Sequence, residues 1–407
     1  MSTDHRVHKE WLRRHVEHVD SHSAQPLNPA LEEFKNLIES NTRIYMLFNA
    51  MWDEIPPSPY YHRDPTGERQ IRDYKHMLAV LNRIFSRAPE WVDAAASVGT
   101  VGVPMNAVFD YAMSTPSGHA AFLDPDVNKC LKRVLNAWGE YLKTPASASV
   151  LSADNTGWLG EVGSKDAMEV ANMAPQTDLT FDQMFECDPK AKHHGYASWD
   201  DFFTRKVKAS ARSVASPDND AIIVEARESR PFCLAHDVSL RDKFWIKGQL
   251  YSILDMLAQS PLATEFAGGT VYQGFLSALS YHRVPLCEYE TTDDENGVSV
   301  TIQSHNITNA QGYLTALATR GIIFIEADNP AVGLMVFIGV GMDEVSTCEI
   351  TVREGQRVKK GEQLGMFHFG GSTHCLIWRM GVKLDGFPEI GRKENVAVRS
   401  QLCVVQE

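Results

Sequence analysis

No stretch of this 407-residue chain reaches the roughly 18 uncharged apolar residues that a membrane-crossing helix needs. The nearest candidate, residues 321–341, is broken by Glu326 and Asp328 and reads as two buried strands joined by the turn Asp328-Asn329-Pro330. Cysteine is also scarce. The seven present (Cys130, Cys187, Cys233, Cys287, Cys348, Cys375 and Cys403) are odd in number and form no C-x-x-C pair. That argues against a disulfide framework and against a zinc site, and no metal is expected. Most read as small buried apolar residues. Basic charge is in deficit, with 39 lysines and arginines against 52 acids and a formal net charge of −13. Nucleic acid and anionic membrane surfaces attract basic faces, so neither is expected as the main partner. Arg205, Lys206 and Lys208 read as a solvated face. The first 25 residues lack the apolar segment of a signal peptide, and their acids argue against a transit peptide. A cytoplasmic protein without stable membrane insertion is the expectation.

What remains is an ordinary globular composition, long enough for two or three domains. Leu31, Phe34, Leu37 and Ile38 recur at helical spacing. So do Met77, Leu78, Val80, Leu81 and Ile84, and again Leu131, Val134, Leu135, Trp138 and Leu142. Lys143-Thr-Pro-Ala-Ser-Ala-Ser then reads as a small, polar linker. Past about residue 218 the texture becomes β-rich, in Ala221-Ile-Ile-Val-Glu, Val298-Ser-Val-Thr-Ile-Gln, Gly321-Ile-Ile-Phe-Ile-Glu, Gly333-Leu-Met-Val-Phe-Ile-Gly and Cys348-Glu-Ile-Thr-Val. One amphipathic helix is expected over residues 252–259. The fold class is α+β: a polar tail (1–27), a helical accessory domain (28–145), a connecting helical segment (146–217) and a β-rich catalytic domain (218–407).

Residues 352–367 alternate turn glycines with strand apolars. Gly355, Gly361 and Gly365 are expected at positive φ, with Val358, Leu364 and Phe367 facing inward. This is the pattern of tight hairpins in a compact β-sandwich. It runs into Gly370-Gly371-Ser372-Thr373, where the chemistry concentrates. A glycine pair before a hydroxyl residue leaves the Gly371 carbonyl unhindered and lets the chain take a strained turn. The Ser372 hydroxyl can then attack that carbonyl, and elimination from the resulting ester leaves dehydroalanine, which hydrolyses to a pyruvoyl group. On these four residues alone, a plain turn between two strands is the competing reading.

Further stretches give that motif a context. Tyr196-Ala-Ser-Trp-Asp-Asp-Phe-Phe-Thr-Arg-Lys, Phe244-Trp-Ile-Lys-Gly-Gln-Leu-Tyr-Ser-Ile, Gly274-Phe-Leu-Ser-Ala-Leu-Ser-Tyr-His-Arg-Val, Phe324-Ile-Glu-Ala-Asp-Asn and Gly341-Met-Asp-Glu-Val-Ser-Thr-Cys-Glu precede the Gly-Gly-Ser-Thr in order. With it they resemble the phosphatidylserine decarboxylase family. The likeness is greatest to its soluble branch, the fungal L-tryptophan decarboxylase-like proteins with a helical N-terminal domain. It covers roughly residues 30–400. It implies self-cleavage between Gly371 and Ser372, giving pieces 1–371 and 372–407. The pyruvoyl group made from Ser372 would then decarboxylate an amino acid through a Schiff base, without pyridoxal phosphate. The soluble branch favours an aromatic L-amino acid, and the family's dimers make a homodimer the assembly to look for.

In the family an acid orients a histidine that takes the serine proton. Ser372 fits the serine, and Glu228 falls where the family has an aspartate. The family's Tyr-His-Arg-x-His motif is altered. Tyr281, His282 and Arg283 are present, but the second histidine, the base for cleavage, is replaced by Pro285 or lost in a short deletion. Proline accepts no proton. Either His282 serves, or His368 or His374 beside the junction does, or cleavage is slow or absent. Gly370, Thr373 and Tyr281 are further supporting candidates. Two rival functions stay open: decarboxylation of phosphatidylserine to phosphatidylethanolamine, and an uncleaved, non-catalytic family member. A lipoyl- or biotinyl-type carrier is excluded, because no lysine stands at the hairpin tip occupied by residues 370–373.

Overall fold

The computed structural model describes residues 6–55, 71–91, 104–113, 115–154, 157–241, 251–276, 283–285, 319–341, 347–368 and 372–406, with the backbone alone at 6–10, 110–111, 283–285 and 372. The chain divides into two compact units. One contains the described residues up to 158 together with 197–199, and the other contains 159–196 and the described residues from 200 onward.

The first unit is helical. Its helices start where side chains satisfy the first free amides of the turn. Asn28 caps Pro29–Ser40 by accepting from the Ala30 amide, and Asn41 caps Thr42–Asp53 through Arg43 and Ile44. Asp73 caps Tyr74–Ile84, Thr115 caps Pro116–Phe122, and Asp124 caps Pro125–Leu142. The apolar stripes face inward, as helical periodicity requires. Leu31, Phe34 and Ile38 are buried, as are all five residues of the 77–84 stripe. In Pro125–Leu142 the buried line runs through Val127, Cys130, Val134, Trp138 and Leu142, so the helix is turned slightly from the expected face and Leu131 and Leu135 are only half-buried. Aromatic rings knit this core: Phe34 meets Phe48 edge-on at 5.4 Å, and Trp158 lies between Trp91 and Trp199.

The stretch read as a linker is packed structure. Pro145–Val150 forms a 3-10 turn with Ser147 and Ala148 buried. The Ser147 hydroxyl donates to the Leu142 and Thr144 carbonyls and accepts from the Trp199 amide. Small polar residues look like a linker in sequence, but here their size lets the chain pack closely.

The second unit is built on antiparallel sheets. Its strands are β1 (Ile222–Val224), β2 (Arg230–Ala235), β3 (Thr270–Leu276), β4 (Arg283–Pro285), β5 (Arg320–Glu326), β6 (Leu334–Gly341), β7 (Thr347–Ile350), β8 (Gln363–His368), β9 (Ser372–Trp378), β10 (Leu384–Asp385) and β11 (Gln401–Val405). They form a five-stranded sheet, β2-β3-β9-β6-β5, and two three-stranded sheets, β1-β11-β10 and β4-β8-β7. Strand alternation turns Tyr272, Ile323, Ile325, Phe337, Leu376 and Trp378 toward one core, which they share with Leu364, Leu402 and Val405. Where a helix was expected over 252–259, one turn, Ile253–Met256, is followed by a 3-10 turn, Pro261–Phe266. Ser252 is the N-cap residue of that turn, and Ala258 and Gln259, at φ 50° and 63°, turn the chain out of the helix after it. The strand expected at Val298-Ser-Val-Thr-Ile-Gln lies outside the described residues.

Two of the three glycines in 352–367 behave as expected, with Gly355 at φ 73° and Gly361 at φ 84°. Gly365 does not turn the chain. It sits within β8 opposite Ile350, and a β-carbon there would stand 2.0 Å from the Glu349 carbonyl oxygen. Glycine is required at Gly365 for close approach of two backbones, a need that looks the same as a turn in sequence.

Candidate active site

β8 ends at His368 and β9 begins at Ser372, and the two strands belong to different sheets. Gly370 and Gly371, and Tyr281 and His282, lie outside the described residues. Ser372 opens the middle strand of the five-stranded sheet. It pairs with Leu276 of β3 on one side and Gly341 of β6 on the other. Its backbone is therefore held on both sides.

Positions 372, 374, 376 and 378 fall on one face of β9, and His374, Leu376 and Trp378 are buried there. His374 lies in a narrow slot on that face. It is opposite Gly274 on β3 and Gly339 on β6, and its ring stacks on Phe337 at 6.0 Å. A β-carbon on Gly274 would stand 2.6 Å from the His374 ring and 2.2 Å from the Ser229 hydroxyl. His374 Nε2 is 3.0 Å from Glu225 Oε1, and both side chains are fully buried. The distance is that of an ion pair, although the approach misses hydrogen-bond geometry and His374 Nδ1 has no hydrogen-bond partner among the described residues. Glu225 is itself fixed. The Tyr272 hydroxyl donates to its other oxygen at 3.0 Å and the Arg227 amide donates to Oε1 at 3.3 Å. Burial, reinforced by the Glu225 charge, pushes the Tyr272 phenol well above its ordinary range, so it remains a donor.

The opposite face carries a buried chain of hydrogen bonds. Tyr251 donates to Gln273 at 2.6 Å, Gln273 donates to the Thr373 hydroxyl at 3.0 Å, and Thr373 donates to the Gly274 carbonyl at 2.8 Å. Thr373 is fully buried. The residue after Ser372 is thus tied to β3 through its side chain as well as its backbone.

Glu228 is held elsewhere. Arg212 donates to both its carboxylate oxygens, at 2.9 and 3.0 Å, and both side chains are buried. Arg212 also donates to the Ala171 carbonyl. Replacing Arg212 by Met should destabilise the protein by about 3–5 kcal/mol, because it leaves a buried carboxylate unpaired. Urea unfolding of the variant against the parent measures this, and the Arg212→Met, Glu228→Gln double variant should recover much of the loss.

His368 is engaged at both ring nitrogens. Nδ1 lies 2.8 Å from Asp200 Oδ1 and Nε2 lies 2.7 Å from Glu349 Oε2. Burial works against its charge, but the hydrogen bonds and charges of Asp200 and Glu349 outweigh it, and the affinity for a proton is raised above the ordinary imidazole value. Two carboxylate acceptors hold an imidazolium, which has no lone pair to offer. A raised folded-state value means that the stabilisation is complete below the unfolded value, about 6.5, and is lost as pH rises through the folded one. The stability lost in His368→Gln should therefore be larger at pH 6 than at pH 9, as read from denaturant midpoints.

Pro285 lies in β4, beside an irregularity in its pairing with β8. β4 is at the edge of its sheet, where a residue without an amide hydrogen is tolerated. Among the described residues no group of three or more His, Cys, Asp or Glu side chains is arranged to hold a metal ion.

Sequence reading missed Glu225, Tyr272 and Gln273. Tyr272 and Gln273 reach His374 and Thr373 from the neighbouring strand β3, and Glu225, just after β1 of another sheet, reaches His374 through its side chain. The one local clue was Glu225 itself, a charge directly after the apolar run of β1.

Comparison with known proteins places this architecture. Residues 199–399 match the phosphatidylserine decarboxylase family, and residues 28–167 match a second phosphatidylserine decarboxylase pattern. The decarboxylase iboD of Amanita muscaria is 38% identical over 307 residues, covering 68% of this chain and 84% of that protein. The L-tryptophan decarboxylase of Psilocybe cubensis is 31% identical over 388 residues, covering 89% of this chain and 82% of that protein. The phosphatidylserine decarboxylase proenzyme 3 of Schizosaccharomyces pombe is 32% identical over 193 residues, covering 46% of this chain and 19% of that protein. The chain belongs to the phosphatidylserine decarboxylase family. It is a decarboxylase, a carboxy-lyase, with the α+β organisation of that family.

Proposed function

We propose that the chain cleaves itself between Gly371 and Ser372, converts Ser372 to a pyruvoyl group, and decarboxylates a soluble aromatic L-amino acid. The observation that carries the first part is the position of Ser372, at the start of a middle strand whose next residue is anchored through Thr373 to Gly274 and Gln273.

Cleavage balances without an outside oxidant. The Ser372 hydroxyl oxygen bonds to the Gly371 carbonyl carbon, the Gly371–Ser372 C–N bond breaks, and the serine proton passes to the departing nitrogen. Loss of the Ser372 α-proton expels Gly371 as a carboxylate and leaves dehydroalanine. One water then replaces its nitrogen, releasing ammonia and leaving a ketone. The residues fit such a group: pairing to Leu276 and Gly341 and the Thr373 anchor would hold the new chain end in place. When formed, the pyruvoyl carbonyl supplies an electron sink for the carbanion that CO₂ loss leaves on the substrate.

A small amino acid is preferred over a lipid substrate for two reasons. The relative named as an L-tryptophan decarboxylase matches 89% of the chain, against less than half for the phosphatidylserine decarboxylase proenzyme. The chain is also strongly acidic, and among the described residues no helix is long and apolar enough to cross a membrane. A cytoplasmic site of action is part of this reading. In a CO₂-release assay the purified protein should turn over L-tryptophan or another free aromatic amino acid and leave phosphatidylserine vesicles untouched. Phenylhydrazine should stop the reaction, and pyridoxal phosphate should not restore it. Preferential turnover of the vesicles would move the assignment to the lipid.

A further inference from the structure

We infer that Glu225 and His374 form the acid–imidazole pair that takes the Ser372 hydroxyl proton during cleavage, in place of the second histidine of the Tyr-His-Arg-x-His motif. The inference rests on the proposed cut at Gly371–Ser372.

Position is the first ground. His374 follows Ser372 by two residues in one strand, so both occupy the same face of β9. The slot is built for an imidazole, with a glycine opposite it on each flanking strand and the Phe337 ring stacked against it. At Gly274 nothing larger than glycine leaves room for the ring.

Protonation is the second. The Glu225 carboxylate beside Nε2 favours the proton on that nitrogen and leaves the lone pair on Nδ1. Nδ1 is buried and has no hydrogen-bond partner among the described residues. Glu225 is pinned by Tyr272 and the Arg227 amide, which fixes the orienting charge. Nδ1 would take the proton from the Ser372 oxygen as that oxygen bonds to the Gly371 carbonyl carbon. The imidazolium, stabilised by Glu225, would return it to the Ser372 nitrogen as the C–N bond breaks.

The other described candidates are engaged. His368 has a carboxylate at each ring nitrogen, and both oxygens of Glu228 accept from Arg212. The complete burial of Glu225 and His374 suits a reaction that happens once and inside the chain. Neither could readily exchange protons with a visiting substrate. His374 is thus a catalytic residue for cleavage, and Glu225 positions it.

The test follows cleavage in full-length protein made by cell-free synthesis, sampled over time on a denaturing gel. His374→Gln should cleave about 100-fold or more slowly, the usual contribution of a positioned base. Glu225→Gln should also be slow, and Glu225→Asp should recover part of the rate, which a purely structural acid would not require. Added imidazole should accelerate cleavage of His374→Gly. Cleavage of His374→Gln at the parental rate overturns the inference, as does failure of imidazole to act on a His374→Gly protein that melts cooperatively. If the parent chain itself stays whole, the proposed cut fails instead, so the two failures are distinguishable.

Discussion

Ser372→Ala is expected to remain a single chain of 45.5 kDa with no decarboxylase activity. Alanine has no oxygen to attack the Gly371 carbonyl, so no ester forms and no ketone follows. The fold should survive, because position 372 is held by backbone pairing to β3 and β6, which any residue but proline can supply. A denaturing gel, a thermal melt and the CO₂-release assay on one preparation check all three points. An uncut variant with parental activity would show that the reaction does not need the cleavage.

The second large effect is one of association. The piece 372–407 is expected to stay bound to 1–371 after cleavage and to separate only in denaturant. It contains β9, paired on both sides within the five-stranded sheet, and β11, paired with both β1 and β10. Cys375, Leu376, Ile377, Trp378, Leu402 and Cys403 are all fully buried. Pulling this piece out would open two sheets and expose the core they share. The cut falls at the first residue of β9, so it touches only the end of that strand and leaves the pairing from Thr373 to Trp378 in place. Size-exclusion chromatography of the native protein should give one peak containing both pieces, and the same column in 6 M-class guanidinium should give two. Separation under native conditions would contradict the structural reading.

These expectations draw unequally on sequence and structure. Helical stripes such as 77–84 were legible because their periodicity is local and the helix buries one side of it. The strands β5 and β6 were legible as apolar runs around the turn at residues 328–330. The proposed junction was picked out because Gly-Gly-Ser-Thr sits in a recognisable series of motifs, and the structure starts β9 at its serine. The surroundings of the junction were not. Glu225 and Glu228 are three residues apart and look equivalent in sequence, yet one lies against His374 and the other against Arg212. Only long-range pairing separates them. His368 and His374 both flank the junction, but one ends β8 between two carboxylates and the other stands in the glycine-flanked slot of β9. Gly365 was misread for a related reason: a glycine records that a side chain is not tolerated without recording why.

Where the family resemblance leads one to expect a histidine base, β4 carries Pro285, and the stand-in proposed above is His374, on the strand that begins with Ser372. Intact-mass spectrometry of the active parental protein under denaturing conditions tests the proposed cut directly. Two chains should appear, the smaller beginning at position 372 and carrying a carbonyl in place of its amino terminus. A single 45.5 kDa chain in a preparation that decarboxylates amino acids would contradict it.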